Sequence, residues 1–292
     1  MAESVALAES PAVATSSALV ESPVLIDISE GIATIQLNRP DKLNAWTREM
    51  QHALTTAMHA VANDKAVRAI LLTGAGRGFC AGADMNMLAG ASQGGKRITG
   101  DAAPEFPVPN MGSTRADFQM PHSYFPSIPK PILGAINGPC AGLGFVVSLY
   151  CDFRFAAQSA VFTTSFAQRG LIAEHGISWM LPRLIGLPNA ADLLYSARKV
   201  KADEALRIGL VQRVLPDADL IKGAREYLSH LVNHVSPRSM AVMKRQIWDG
   251  QFQSLSEATT IGNYEMQRSF DCPDFKEGVA HFLEKRPARF QN

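Results

Sequence analysis

Apolar and polar positions follow distinct rhythms along the chain. "VLIDI" and "GIATIQLN" carry β-branched residues on either side of a Ser-Glu-Gly turn and read as strand, turn, strand. After Thr47, apolar residues recur at helical spacing (Met50, Leu54, Met58, Val61), so an amphipathic helix capped by Thr47 is expected. "VRAILLTG" is a continuous apolar run ending at Gly74, the pattern of a strand buried on both faces. "KPILGAING" repeats it around residues 131–138, and "CDFRFAA" and "AVFTT" are further strand candidates. Strands alternating with helices predict βαβ units.

Residues 85–130 break the rhythm with Gly, Pro, Ser and Met. A long irregular segment in a compact domain is usually functional or disordered, so a mobile loop and a short helix near 114–125 are expected. From about residue 186 the pattern is helical. Asp203 opens a helix containing Ala205, Leu206 and Ile208, and helices over 217–233, 237–249, 254–271 and 273–285 follow. The expected organisation is an α/β core over 24–200 and a helical C-terminal region over 201–292, with no internal repeat. Residues 1–23 are rich in Ala, Ser, Val and Glu, and no Lys or Arg precedes Arg39. They read as a disordered tail rather than a signal peptide or presequence, which need basic residues.

Charge and cysteine usage narrow the function classes. A formal net charge of +1 over 292 residues gives no electrostatic case for nucleic acid or an acidic membrane surface. No apolar stretch approaches the ~20 residues that span a bilayer. Cys80, Cys140, Cys151 and Cys272 show neither a CxxC pair nor metal-ligand spacing, so a reduced, cytoplasmic protein is expected.

Two glycine-rich turns follow buried strands, "GRGFCAGADMNML" (76–88) and "NGPCAGLGFVVSLYCD" (137–152). Neither is a P-loop or a dinucleotide fingerprint. Glycine lets backbone approach a ligand closely, and the N–H groups at a helix start lack partners. Two such groups can converge on one oxygen and stabilise a thioester carbonyl becoming an enolate. The plain alternative is that these glycines only allow tight strand-to-helix packing.

"NRPDKLNAW", "GFCAGADMNM", "INGPCAGLG…CDFRFA" and "RGLIAEHG" occur in this order, and the chain resembles the crotonase (enoyl-CoA hydratase/isomerase) superfamily over roughly residues 24–290. The resemblance implies an α/β spiral of ββα units followed by a helical region that builds a homotrimer or a dimer of trimers. It implies an acyl-CoA thioester substrate, with CoA part of the substrate and no separate cofactor or metal. By position, the two oxyanion donors are the N–H groups of Ala83 and Leu143. Ala83 to Asn86, through Asp84 and Met85, are expected along the pantetheine and thioester, with Ala81, Gly142 and Phe166 as further contacts. Lys42, Leu43 and Ala45 match the segment contacting adenine and pantetheine, and Lys285 or Arg286 the base that reaches the CoA phosphates. Leu143 departs from the usual glycine. Only its N–H is required, so the hole survives if its φ is negative.

The two-glutamate hydratases of the superfamily hold water between two carboxylates, and those positions here read Val146 and Phe166. Glu174 sits elsewhere in the same implied pocket, in a context similar to single-acid peroxisomal enoyl-CoA isomerases. Dienoyl-CoA isomerases and aryl-CoA dehalogenases place an aspartate there. Leu171, Ile172, Ala173, Ile177 and Trp179 surround Glu174 in sequence, and an apolar pocket raises a carboxyl pKa toward neutral-pH proton transfer. Glu174 is therefore expected as the acid/base that isomerises or hydrates an enoyl-CoA. Three other readings stay open: a non-catalytic acyl-CoA binder, a nucleophile on an aryl-CoA cradled by Phe79, Phe145 and Phe166, and a helix-start glutamate stabilised by the dipole. His122 and Tyr124 could assist, whereas His175, next to Glu174, is expected to point elsewhere.

Overall fold

The computed structural model describes residues 22–94 and 115–290. Strands β1 (Val24–Ser29) and β2 (Ile32–Leu37) form an antiparallel hairpin through Glu30 and Gly31, both left-handed. Helix α1 (Arg48–Asn63) follows, and the Thr47 side chain accepts from the Met50 amide at 3.2 Å, as the spacing predicts. Strand β3 (Ala69–Gly74) runs parallel to β2 and is buried at every position. After α2 (Met85–Ser92), β4 (Ile132–Ile136) lies parallel to β3, and β5 (Cys140–Ala141) steps out of the main sheet into α3 (Leu143–Leu149). Strand β6 (Phe153–Ala157) returns beside β4. Strand β7 (Val161–Thr163) pairs with β5 on one side and β8 (Val200–Lys201) on the other, with α4 (Ile177–Ile185) and α5 (Leu187–Ser196) between β7 and β8.

No helix forms near 114–125. The described part of that stretch makes two short 3-10 turns, Ala116–Phe118 and Phe125–Ser127. Pro121 within the stretch and Pro126 just after it explain this, since each lacks the N–H that a continuing helix needs and disfavours helical backbone before it. The rest of the expected mobile loop, like most of the expected tail, lies outside the described residues.

The α/β core extends past the expected boundary at residue 200. After α6 (Ala202–Arg207), β9 (Arg213–Leu215) pairs parallel with β6 and ends the main sheet, whose order is β1-β2-β3-β4-β6-β9. Helix α7 (Leu220–His234) then lays Leu220, Ala224, Leu228 and Val232 on Ala69, Leu71, Leu133 and Phe155. The alternate residues Ile70 and Leu72 face the other way, into the larger core with Met50, Leu54 and Met58 of α1. Helices α8 (Pro237–Asp249), α9 (Leu255–Phe270) and α10 (Pro273–Leu283) complete the C-terminal region.

A buried cation fixes α3 in place. The Arg154 guanidinium donates to the carbonyls of Leu210 and Cys151 at 2.8 Å and of Ser148 and Leu149 at 3.3 Å. It thereby gives donors to the buried carbonyls of Leu149, Cys151 and Leu210, and a further one to Ser148, which also accepts from the Cys151 amide at 3.3 Å. The Arg154→Met variant keeps the length but strands those acceptors. It should lose about 3 kcal/mol of stability, seen as a lower urea midpoint with an unchanged slope.

Candidate functional site

Backbone contact brings the two glycine turns together. Gly82 has φ +94°, and a β-carbon there would lie 3.1 Å from the Ala141 carbonyl oxygen. A β-carbon on Gly142, at φ +49°, would lie 3.6 Å from the Gly82 Cα. The Ala141 amide donates to the Cys80 carbonyl at 2.9 Å, and the Gly142 amide to the Thr163 carbonyl at 3.1 Å. Below the turns, the Asn137 side chain donates to the carbonyls of Gly74 and Gly76, at 2.9 Å each, and ties β4 to the end of β3.

The next residue of each turn is a predicted oxyanion donor. Trp46 donates to the Gly82 carbonyl at 2.7 Å and accepts from the Asp84 amide at 2.9 Å. In such a parallel bridge the N–H of the residue between, Ala83, points away from the pairing strand. Leu143 opens α3 without a left-handed φ, so the side chain that replaces the usual glycine does not turn its N–H. Neither N–H has an acceptor among the described residues.

The expected substrate contacts divide. Leu43 accepts from the Ala81 amide at 3.0 Å, and the Ala45 carbonyl accepts from Arg39, so this strap lies against the first turn. Met85 and Asn86 are exposed at the start of α2, and Lys42 is exposed on the strap. The Asp84 side chain serves structure: it caps α2 through the Asn86 amide at 3.0 Å and pairs with Arg39 at 3.0 Å. Those two partners hold its carboxyl below the usual range, the amide first. Phe166 is buried with Phe79 and Phe145 in the larger core. Lys285 stands apart in this chain. It is exposed, and Phe290, just beyond it, accepts from Arg68 at 3.4 Å, at the end of β3 opposite the turns. Arg286 is engaged by Glu277 and Glu284.

Both positions of the two-acid pattern are apolar and buried, Val146 and Phe166. Glu174 precedes α4 by three residues, and α4 has no side-chain cap, so its carboxylate does not serve as a helix-start acceptor. Its side chain is 25% exposed, and burial raises its pKa. Two ring contacts and one polar approach connect it to the first turn. Trp46, beside Ala83, meets His122 edge-on at 5.7 Å, and His122 meets His175 at 4.3 Å. His175 Nε2 then stands 3.6 Å from Glu174 Oε2.

His175 therefore points at Glu174, contrary to the expectation from the sequence that it points elsewhere. Its φ is +56°, Gly176 follows at φ +78°, and the Tyr150 hydroxyl donates to the His175 carbonyl at 2.8 Å. That left-handed backbone swings the ring back, which chain adjacency does not reveal. His122 is buried between Trp46 and His175. Tyr124 is buried against Phe125, with Thr55 of α1 as the partner of its hydroxyl. A cavity of about 380 Å³ lies elsewhere, lined by Trp179, Met240, Lys244 and Trp248 among others, and none of the predicted site residues lines it. Among the described residues no group of three or more His, Cys, Asp or Glu side chains is arranged to hold a metal ion.

Comparison with known proteins matches this arrangement to a family. The family model described as enoyl-CoA hydratase/isomerase matches residues 27–292. The chain belongs to that family. A probable enoyl-CoA hydratase of Rhodobacter capsulatus is 36% identical over 265 residues, covering 90% of this chain and 96% of its own. The 1,2-epoxyphenylacetyl-CoA isomerase of Escherichia coli is 31% identical, covering 91% and 97%. A crystal structure of a probable enoyl-CoA hydratase/isomerase from Mycobacterium abscessus superimposes with a TM-score of 0.80 at 28% identity, covering 92% of this chain and 98% of that one. Membership makes this chain an acyl-CoA enzyme with the crotonase fold, and the spiral expected from the sequence is the one observed.

Burial of Glu174 has a consequence for stability. Its carboxyl ionises near 4.5 in the unfolded chain and at higher pH in the folded one. As pH rises between those values, ionisation favours the unfolded chain. The Glu174→Gln variant escapes this penalty. It should unfold at the wild-type temperature below pH 4.5 and at a higher temperature than wild type at pH 7, as read by scanning calorimetry at both pH values.

Proposed function

We propose that this enzyme moves a proton on an enoyl-CoA through a thioester enolate, with Glu174 as its single acid/base. The observation that carries the reading is the half-buried carboxylate of Glu174, its pKa raised by burial, in a site where Val146 and Phe166 stand at the two positions of the two-acid pattern. The N–H groups of Ala83 and Leu143 take the thioester oxygen as it gains charge, a contribution of roughly 3 kcal/mol per donor. Glu174 removes a proton from C2 of a 3-enoyl-CoA, and the electrons spread through the dienolate onto that oxygen. Return of the same proton to C4 gives the 2-enoyl-CoA and restores the carboxylate. Lys42, Leu43 and Ala45 hold the adenine and pantetheine, with Ala81 to Asn86 along the thioester arm.

Hydration is the second reading, and the names of hydratase relatives favour it. There Glu174 would activate the water and protonate C2. In both cases CoA arrives with the substrate, and no separate cofactor takes part. The protein works in the cytoplasm on a small thioester, without nucleic acid or membrane. No helix among the described residues is long and apolar enough to cross a bilayer. Assembly as a homotrimer or a dimer of trimers is supported by the exposed apolar side chains of α9 and α10, among them Leu255, Tyr264, Phe282 and Leu283.

The test offers a 3-enoyl-CoA and a 2-enoyl-CoA in deuterated water, separates the isobaric products by chromatography and reads deuterium uptake or added water by mass. A shifted double bond without 3-hydroxyacyl-CoA marks the isomerase, and 3-hydroxyacyl-CoA marks the hydratase. The Glu174→Gln variant should lose at least about a hundredfold in kcat while binding acyl-CoA as wild type does. Inertness of both substrates with wild-type enzyme would instead favour an acyl-CoA binder or an aryl-CoA enzyme.

A further inference from the structure

We propose that His175 is a positioning residue for Glu174: its Nε2–H donates to Glu174 Oε2 and leaves Oε1 free to exchange the substrate's proton. The inference rests on the acid/base reading of Glu174.

Three observations support it. First, His175 Nε2 is buried and has no hydrogen-bond partner, while Glu174 Oε2 lies 3.6 Å away. A short closure makes the bond, and catalytic hydrogen bonds are commonly long before substrate binds. A buried polar nitrogen without a partner otherwise costs free energy for nothing. Second, His175 holds a left-handed backbone (φ +56°), rare for a residue with a side chain, and the Tyr150 hydroxyl pins its carbonyl at 2.8 Å. A straight segment would carry the ring away from Glu174. Third, His122 packs against the imidazole at 4.3 Å with planes 78° apart, which limits rotation of the ring.

The chemistry favours a neutral donor. Burial brings the His175 pKa down to about 4, and His122 is lowered by burial and by His175. A histidinium beside Glu174 would lower the carboxyl pKa and weaken it as a base. A neutral N–H orients the carboxylate while burial keeps its pKa raised. The titratable groups packed against the pair are His122, from the segment before β4, and Tyr150, from the end of α3. Burial is the cause of the Glu174 shift, and no cation opposes it.

The decisive experiment follows the carboxyl carbon of Glu174 by NMR in protein labelled with 13C-glutamate, with Glu174→Gln giving the assignment. His175→Phe removes the donor and keeps a ring. Glu174 should become roughly a tenfold weaker acid in that variant. Turnover of 3-hexenoyl-CoA and crotonyl-CoA should fall at least tenfold with KM within about twofold, and the acid limb of the rate profile should move to higher pH. His175→Asn, which tolerates the left-handed backbone and carries an amide donor, should recover most of both effects. If His175→Phe does not fold, His175→Gly takes its place in the same titration, since glycine adopts this backbone freely. An unchanged Glu174 titration with an inactive Glu174→Gln overturns the role of His175 alone. An active Glu174→Gln overturns both readings.

Discussion

Two stretches of bare backbone pressed together govern the rest of the structure. Gly82 lies against Ala141 and Gly142 so closely that a β-carbon at Gly82 would come within 3.1 Å of a carbonyl oxygen. Gly144 is tighter still, with Cys80 atoms 2.5 Å from where its β-carbon would stand. A side chain at any of these points forces the turns apart, and the N–H groups of Ala83 and Leu143 separate with them. The constraint reaches outward. Strand β5 must leave the main sheet to lie beside Cys80, and Arg154 must then satisfy the end of the short helix that follows.

Around such bare turns the neighbours supply the order that side chains usually give. Trp46 brackets Ala83 with two backbone hydrogen bonds, and Asn44 donates to the carbonyls of Ala75 and Gly78 at 2.9 and 2.8 Å. Asp84 belongs to this framework. It is the acid inside the most recognisable motif of the chain, yet its carboxylate is occupied by an amide and an arginine. Glu174 is the opposite case, an acid outside the glycine motifs whose carboxylate is half-buried without a helix to cap or a cation beside it. Electrostatics therefore separates the structural acid from the proposed reactive one more clearly than motif membership does.

What was legible in the sequence follows the same division. Long periodic or continuous apolar runs read correctly: Thr47 caps α1, β3 is buried throughout, and α8 spans Pro237–Asp249 as expected. The glycine turns could be found because only glycine permits that contact. Strand β9 was invisible, since three residues beginning with an exposed arginine carry no pattern. Over residues 115–125 the apolar residues suggest a helix, but Pro121 and the following Pro126 break it into 3-10 turns. His175 was misread because its direction depends on one left-handed residue, a conformation that sequence periodicity does not encode.

The surroundings of Glu174 also bear on which reaction the site suits. A water that attacks an enoyl-CoA needs two or more polar partners to hold it. Val146 and Phe166 offer none, and His175 Nε2–H, if it donates to Glu174, is already engaged. A proton taken up by Glu174 finds no second carboxylate at positions 146 and 166 to pass to. Its nearest acceptor is then the dienolate that released it. In the proposed reading, the features that leave the site without polar partners for a water are those that return a proton to carbon, so a lone half-buried acid beside a neutral imidazole suits isomerisation.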